Sequence, residues 1–153
     1  MRIITLNVNG IRAAERKGLA NWLALAEPWD VVCLQESKCL ECDVPATGRA
    51  PRDSVATFHP AERKGYSGVA IYSKLPHAPS IGFGAAEFDA EGRYVEADFG
   101  NVTVISVYLP SGSSGPHRQA SKFRFLDAFL PHLETLRRRG REIVLCGDWN
   151  IAH

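Results

Sequence analysis

Four short runs of apolar, largely β-branched residues recur along the chain, and each stops at a polar side chain. They are IITLN ending at Asn7, VVCLQE ending at Glu36, VTVISVY ending at Tyr108, and IVLCGD ending at Asp148. Runs of this length suit buried strands and are too short for buried helices. The expected strands are residues 2–8, 30–36, 102–109 and 142–147, with further ones at 55–59, 66–73 and 93–99. Helical patterns fall between them. Residues 11–26 carry Ile11, Leu19, Trp22, Leu23 and Leu25 on one face and stop before Pro28. Residues 117–138 carry Phe123, Leu126, Phe129, Leu133 and Leu136 and end at Gly140. Such alternation predicts an α/β fold. Residues 37–55 read as loop with one short helix, and 111–116 as a flexible loop.

The chain has 153 residues, about one domain, and its 45% hydrophobic content supports a real core. No apolar run approaches the ~20 residues that span a bilayer, and the N-terminus lacks a signal-peptide pattern. The expectation is a cytoplasmic protein with no membrane attachment. A net charge of +1 neither announces nor excludes a nucleic-acid partner, because a local basic patch suffices. Arg137, Arg138 and Arg139 read as a helix end offsetting the helix dipole. Of four cysteines, Cys33 and Cys146 lie in strand runs as small buried side chains. Cys39 and Cys42 form a lone C-x-x-C without the second ligand pair that structural zinc requires, and read as reduced thiols.

Sites in open α/β sheets lie beyond the carboxyl ends of the strands. Each strand-end residue also has an ordinary reading. Asn7 could bond backbone, Glu36 could emerge into solvent, and Tyr108 could be a rim aromatic. Gly147-Asp148-Trp149-Asn150 is the most pointed, because an acid and an amide leave a buried strand two residues apart. Together the set suits magnesium and a phosphate. Magnesium takes hard oxygen ligands and is often held by one or two carboxylates. An aspartate can orient or deprotonate water, while an amide and a phenol donate to phosphate oxygens without adding charge.

On the stretches LNVNGIRA (6–13), LQESKC (34–39), KGYSGVAIYSK (64–74), EGRYVEADFGNVTVISVYLPSGSSG (91–115) and VLCGDWNIAH (144–153), the chain resembles the exonuclease III and apurinic/apyrimidinic endonuclease family. That family lies within the endonuclease/exonuclease/phosphatase superfamily. The resemblance implies part of a four-layer α/β/β/α sandwich, with residues 1–153 as the N-terminal portion of one domain and the C-terminal portion absent. It implies a metal site at Glu36, Asn7 and Asn9 for Mg2+, with Mn2+ as substitute. It makes Tyr108, Asp148 and Asn150 the catalytic residues, contacting the phosphate, activating water and positioning the aspartate. Lys38, Tyr66, Arg93 and Ser111 match DNA-binding positions, although Ser111 stands where some relatives carry an amide.

The implied activity is metal-dependent cleavage of double-stranded DNA, 5′ to abasic sites or from 3′ ends, by an enzyme that is monomeric when complete. The family's second half supplies a further aspartate and a Ser-Asp-His motif. His153 does not replace that histidine, so little or no turnover is expected of this chain alone. Two other readings stay open. One is a non-catalytic truncated product or DNA-binding fragment. The other is another superfamily branch acting on phosphoinositides, sphingomyelin or RNA tails.

Overall fold

The computed structural model describes residues 1–49, 51, 53–112 and 115–151. Ser113 and Ser114 of the loop expected at 111–116, and His153, lie outside the described residues. The strands are β1 (Ile3–Asn7), β2 (Val31–Gln35), β3 (Val55–His59), β4 (Val69–Ser73), β5 (Ala78–Ile81), β6 (Tyr94–Asp98), β7 (Val102–Tyr108) and β8 (Glu142–Asp148). The helices are α1 (Ile11–Arg16), α2 (Leu19–Leu25), α3 (Ala46–Arg49), α4 (Ala86–Asp89) and α5 (Pro116–Arg138).

The strands form two four-stranded sheets, ordered β1-β2-β4-β3 and β5-β6-β7-β8. Parallel pairing requires a crossover, and helices supply it. The α1–α2 segment joins parallel β1 and β2, and α5 joins parallel β7 and β8. The inner faces pack through Val31, Cys33, Ile71, Val95, Ala97 and Val104. Ile11, Leu19 and Leu23 cover the outer face of the first sheet, and Phe125, Phe129 and Leu136 that of the second. The order of layers is therefore helix, sheet, sheet, helix, as the resemblance implies.

Polar bridges cross this apolar interior, among them the His59 ring against the Tyr94 carbonyl at 2.6 Å and a larger one at Gln35. Gln35 Nε2 donates to Ser106 Oγ at 3.0 Å, and Ser106 Oγ donates to the Leu34 carbonyl at 3.1 Å. Thr5 Oγ1 donates to Gln35 Oε1 at 3.3 Å. Buried polar groups must be paired, so this bridge admits few relative positions of the two sheets.

The helix expected over 11–26 is two helices. Gly18 adopts φ 95, a left-handed conformation that ends α1 and turns the chain into α2. The turn also rotates the apolar face. Trp22 is 47% and Leu25 86% exposed, whereas both were expected inside. In α5 the buried aromatics are Phe125 and Phe129, and Phe123 is 56% exposed. β5 and α4 fall in a stretch for which neither was expected. The strand expected from residue 66 begins at Val69, because Ser67 and Gly68 both have positive φ.

The sheets end differently on their two sides. Edge strand β5 carries Pro79, which blocks further pairing. On the other side β1 and β8 lie against each other with no such guard. Thr5 is exposed although it faces the inner layer, and β8 is only half-buried from Ile143 onward. Exposed, unguarded edges beside apolar surface favour association. Residues 1–153 are therefore expected to bind an apolar dye and to form oligomers on a sizing column. A monodisperse, dye-free monomer would contradict an open interior on this side.

Candidate active site

The four strand ends named from sequence converge, although they come from two sheets rather than one. β1 and β2 of the first sheet and β7 and β8 of the second deliver Asn7, Glu36, Tyr108 and Asp148 to the same end of the sandwich. Asn7 is the junction. Its Nδ2 donates to Glu36 Oε1 at 2.8 Å and to Asp148 Oδ2 at 2.9 Å, so one amide holds carboxylates from both sheets. Its Oδ1 accepts the Asn9 backbone N–H at 2.9 Å. Lys38 Nζ lies 2.6 Å from Glu36 Oε2 and donates to Asn9 Oδ1 at 2.5 Å. The Tyr108 phenol faces the Glu36 carboxylate. The Asn150 N–H donates to Asp148 Oδ1 at 3.1 Å, and Asn150 Nδ2 donates to the Leu109 carbonyl at 2.9 Å.

Backbone strain collects at the same place. Six described non-glycine residues have positive φ, and four of them are Asn9 (44), Glu36 (56), Lys38 (52) and Asn150 (48). A side chain in the left-handed region costs roughly 1–2 kcal/mol. The surrounding bonds hold these residues there. The Gly10 N–H donates to the Glu36 carbonyl, and the Lys38 N–H to the Ser67 carbonyl.

Burial alone would raise the Glu36 carboxyl. Hydrogen bonds from Asn7, Lys38 and Tyr108, with the Lys38 charge, outweigh it and hold the group below its ordinary value. The Tyr108 phenol is pushed well up by burial and then by the Glu36 carboxylate, so it remains a proton donor at neutral pH.

The donors fit a hard cation. Glu36 and Asp148 offer carboxylate oxygen, Asn9 offers amide oxygen, and a lysine ammonium already rests between Glu36 and Asn9. Among the described residues no group of three or more His, Cys, Asp or Glu side chains gathers at one point. A cleft of about 570 Å³ opens beside Asn7, Gln35, Asp148 and Asn150. Next to Lys38, a smaller cavity of about 250 Å³ is lined by Arg12, Arg63, Lys64 and Tyr66.

The DNA-binding positions expected from sequence fare unequally. Lys38 lies in the cluster, and Tyr66 lines the cationic cavity. Ser111 sits half-buried three residues beyond the end of β7. Arg93, expected at a DNA-binding position, is 2% exposed, and its guanidinium is committed inside, to Glu91, Tyr66 and the Tyr108 carbonyl. Arg12 and Arg118, not named from the sequence, stand beside these positions. Arg12 stands within the LNVNGIRA stretch, so its sign and place were readable. Arg118 donates to the Tyr66 hydroxyl at 2.9 Å across 52 residues of sequence, which no local pattern signals.

The Endonuclease/Exonuclease/phosphatase family model matches residues 4–153. The chain is similar to an exodeoxyribonuclease of Bacillus subtilis (strain 168), at 36% identity over 154 residues, covering all of this chain and 60% of the relative. It is similar to the DNA repair nuclease APEX1 of Danio rerio at 36% identity over 156 residues, covering all of this chain and 50% of the relative. It is 31% identical over 156 residues to a DNA-(apurinic or apyrimidinic site) endonuclease of Dictyostelium discoideum, covering all of this chain and 42% of the relative. The chain thus spans about half the length of the curated relatives it matches.

The depressed Glu36 carboxyl has a consequence for acid stability. A carboxyl lower in the folded than in the unfolded state adds stability above its unfolded value, 4.5, and that stability is lost as pH falls through the folded value. The melting-temperature difference between the native chain and Glu36→Gln is expected to be flat above pH 4.5 and to move against the native chain below it. A difference that stays constant into acid would show that Glu36 is not held in this way.

Proposed function

Because the chain belongs to the endonuclease/exonuclease/phosphatase family, we propose that its strand-end cluster serves the metal-dependent hydrolysis of DNA phosphodiesters, at abasic sites or 3′ ends. The observation that carries this reading is the Asn7 amide shared between Glu36 and Asp148 at the junction of the two sheets. That contact gathers the Glu36 and Asp148 carboxylates around one point, which supports a metal-holding role for the first and a water-orienting role for the second.

Glu36, with amide oxygen from Asn9, would hold Mg2+ or Mn2+. When bound, the ion supplies charge stabilisation to the phosphate and the leaving oxygen. The remaining work falls to the chain's own residues. Asp148, fixed by the Asn150 N–H, orients water and accepts its proton. Tyr108, kept protonated, donates to a phosphate oxygen. Arg12, Lys38, Arg63 and Lys64 receive the neighbouring backbone phosphates, with Tyr66 beside them. An abasic sugar suits such a site because no base must be unpaired for it to leave the stack. The names of the relatives support the DNA-repair branch over the phosphoinositide one.

The resemblance puts a further aspartate and a Ser-Asp-His motif in the part of the relatives that this chain does not span. Each missing acid-base group costs about 10²–10⁴ in rate. Residues 1–153 are therefore expected to bind an abasic duplex in Mg2+ and to nick it at least ~10²-fold more slowly than the Bacillus subtilis relative. Binding should weaken steeply with salt, and Glu36→Ala should remove the metal dependence of both binding and nicking. Salt-independent binding, or cleavage of a phosphoinositide instead of DNA, would overturn the proposal.

A further inference from the structure

Arg93 is a large, fully charged side chain in the interior, and the steps above give it no task. Burying a guanidinium is costly unless its charge and its N–H groups are satisfied. Here the contacts run to Glu91 and to two tyrosines named for the site. Nε pairs with Glu91 Oε2 at 2.5 Å, and Nη1 donates to the Tyr108 carbonyl at 2.9 Å. Nη2 donates to the Tyr66 hydroxyl at 2.8 Å. The guanidinium carbon lies 5.1 Å from the Tyr108 ring centroid and 5.7 Å from that of Tyr66. The Arg93 carbonyl in turn accepts the Tyr108 N–H at 3.0 Å. Tyr108 is thus held by backbone on two sides and by a cation on its ring.

Gly92 makes this burial geometrically possible. It has φ +61, and a Cβ there would sit 2.5 Å from the His59 carbonyl oxygen and the Pro60 carbonyl carbon. The close approach of the two backbones brings Arg93 in at the head of β6.

We infer that Arg93 is a positioning residue: it fixes the Tyr108 phenol against Glu36 and ties it to Tyr66, so that the metal-holding end and the duplex-facing end of the site form one rigid unit. The metal side of this inference rests on the function proposed above; the positioning of the two tyrosines does not. Tyr66 is suited to the second end. Its hydroxyl accepts from Arg93 and Arg118 and faces Glu91, while its ring lines the cationic cavity. Lysine would keep the charge of Arg93 but could not serve Glu91, the Tyr108 carbonyl and the Tyr66 hydroxyl in one plane.

The test uses the four tyrosines, at 66, 72, 94 and 108, labelled with 13C at the ring ε positions and followed by NMR without metal. Arg93→Lys is expected to shift the Tyr66 and Tyr108 signals and to speed their ring flips roughly tenfold or more. Tyr72, buried in the outer core of the first sheet, should not change. Glu91→Gln, a milder change at the half-buried partner, should move the same two signals less. Unchanged Tyr66 and Tyr108 signals, or equal changes at Tyr72, would overturn the inference, the latter showing general loosening.

A second arm titrates Mn2+. Arg93→Lys, which reaches Glu36 only through Tyr108, should weaken binding by about threefold to tenfold, at or below the low end for a group bonded directly to a ligand. It should add nothing in a Tyr108→Phe background. Equal losses in both backgrounds would overturn action through the phenol. Absence of Mn2+ binding in the native chain would count against the proposed function, while the tyrosine signals would still decide the role of Arg93.

Discussion

The site depends on how two separate sheets are held face to face, and the Gln35 side chain sets much of that relation. Gln35 is on β2 and hydrogen-bonds Ser106 on β7 across the inner layer, one residue before Glu36 and two before Tyr108. An apolar interface alone tolerates small slides, because dispersion contacts are individually weak and non-directional. A buried amide does not, because sliding leaves its donor unpaired at a cost of about 1–3 kcal/mol. The Asn7 contact with Asp148 and the Tyr108 contact with Glu36 both join one sheet to the other. Each needs a fixed spacing between the layers, and the Gln35–Ser106 bridge supplies it a few ångströms below.

Above that bridge the chain accepts local cost. Two carboxylates share one amide, and four residues of the cluster have left-handed backbone. Each feature is unfavourable in isolation, and their coincidence at one point is typical of sites where geometry is over-determined by the surroundings. The Lys38 ammonium relieves part of the repulsion by sitting on Glu36. A bound cation would compete with that ammonium for the same oxygens. Lys38 would then be released toward the rim, where Arg63 and Lys64 stand.

Much of this was readable in the sequence, and the failures have physical causes. The buried strands were visible because β-branched runs of four to seven residues have few other uses, and the cluster because each run closes on a ligand-grade side chain. The α1–α2 break was hidden because a glycine within an apolar helical pattern is often tolerated, and only the turned backbone shows that Gly18 does not continue the helix. β5 lacks alternation and contains proline, so it resembled loop. The enclosure of Arg93 was not readable, because the resemblance gave it only as a DNA-binding position and the three-dimensional path alone shows Glu91, Tyr66 and Tyr108 around it.

The nearly neutral overall charge also conceals a division of labour. Glu36 and Asp148 sit at the centre, while Arg12, Arg63 and Lys64 line a flanking cavity with Tyr66, whose hydroxyl Arg118 meets. A negative centre attracts a divalent cation and would repel a polyanion, while a positive rim does the reverse. The two fields meet at Lys38, which touches Glu36 and borders the basic cavity, and at physiological salt each fades over about 8 Å. On the proposed function, an extended polyanion would lie along the rim with one phosphate at the centre, where a cation would offset the carboxylates. Metal and nucleic acid would then favour each other's binding, and that coupling would be reciprocal. The rigid link through Arg93 adds a mechanical path to this electrostatic one.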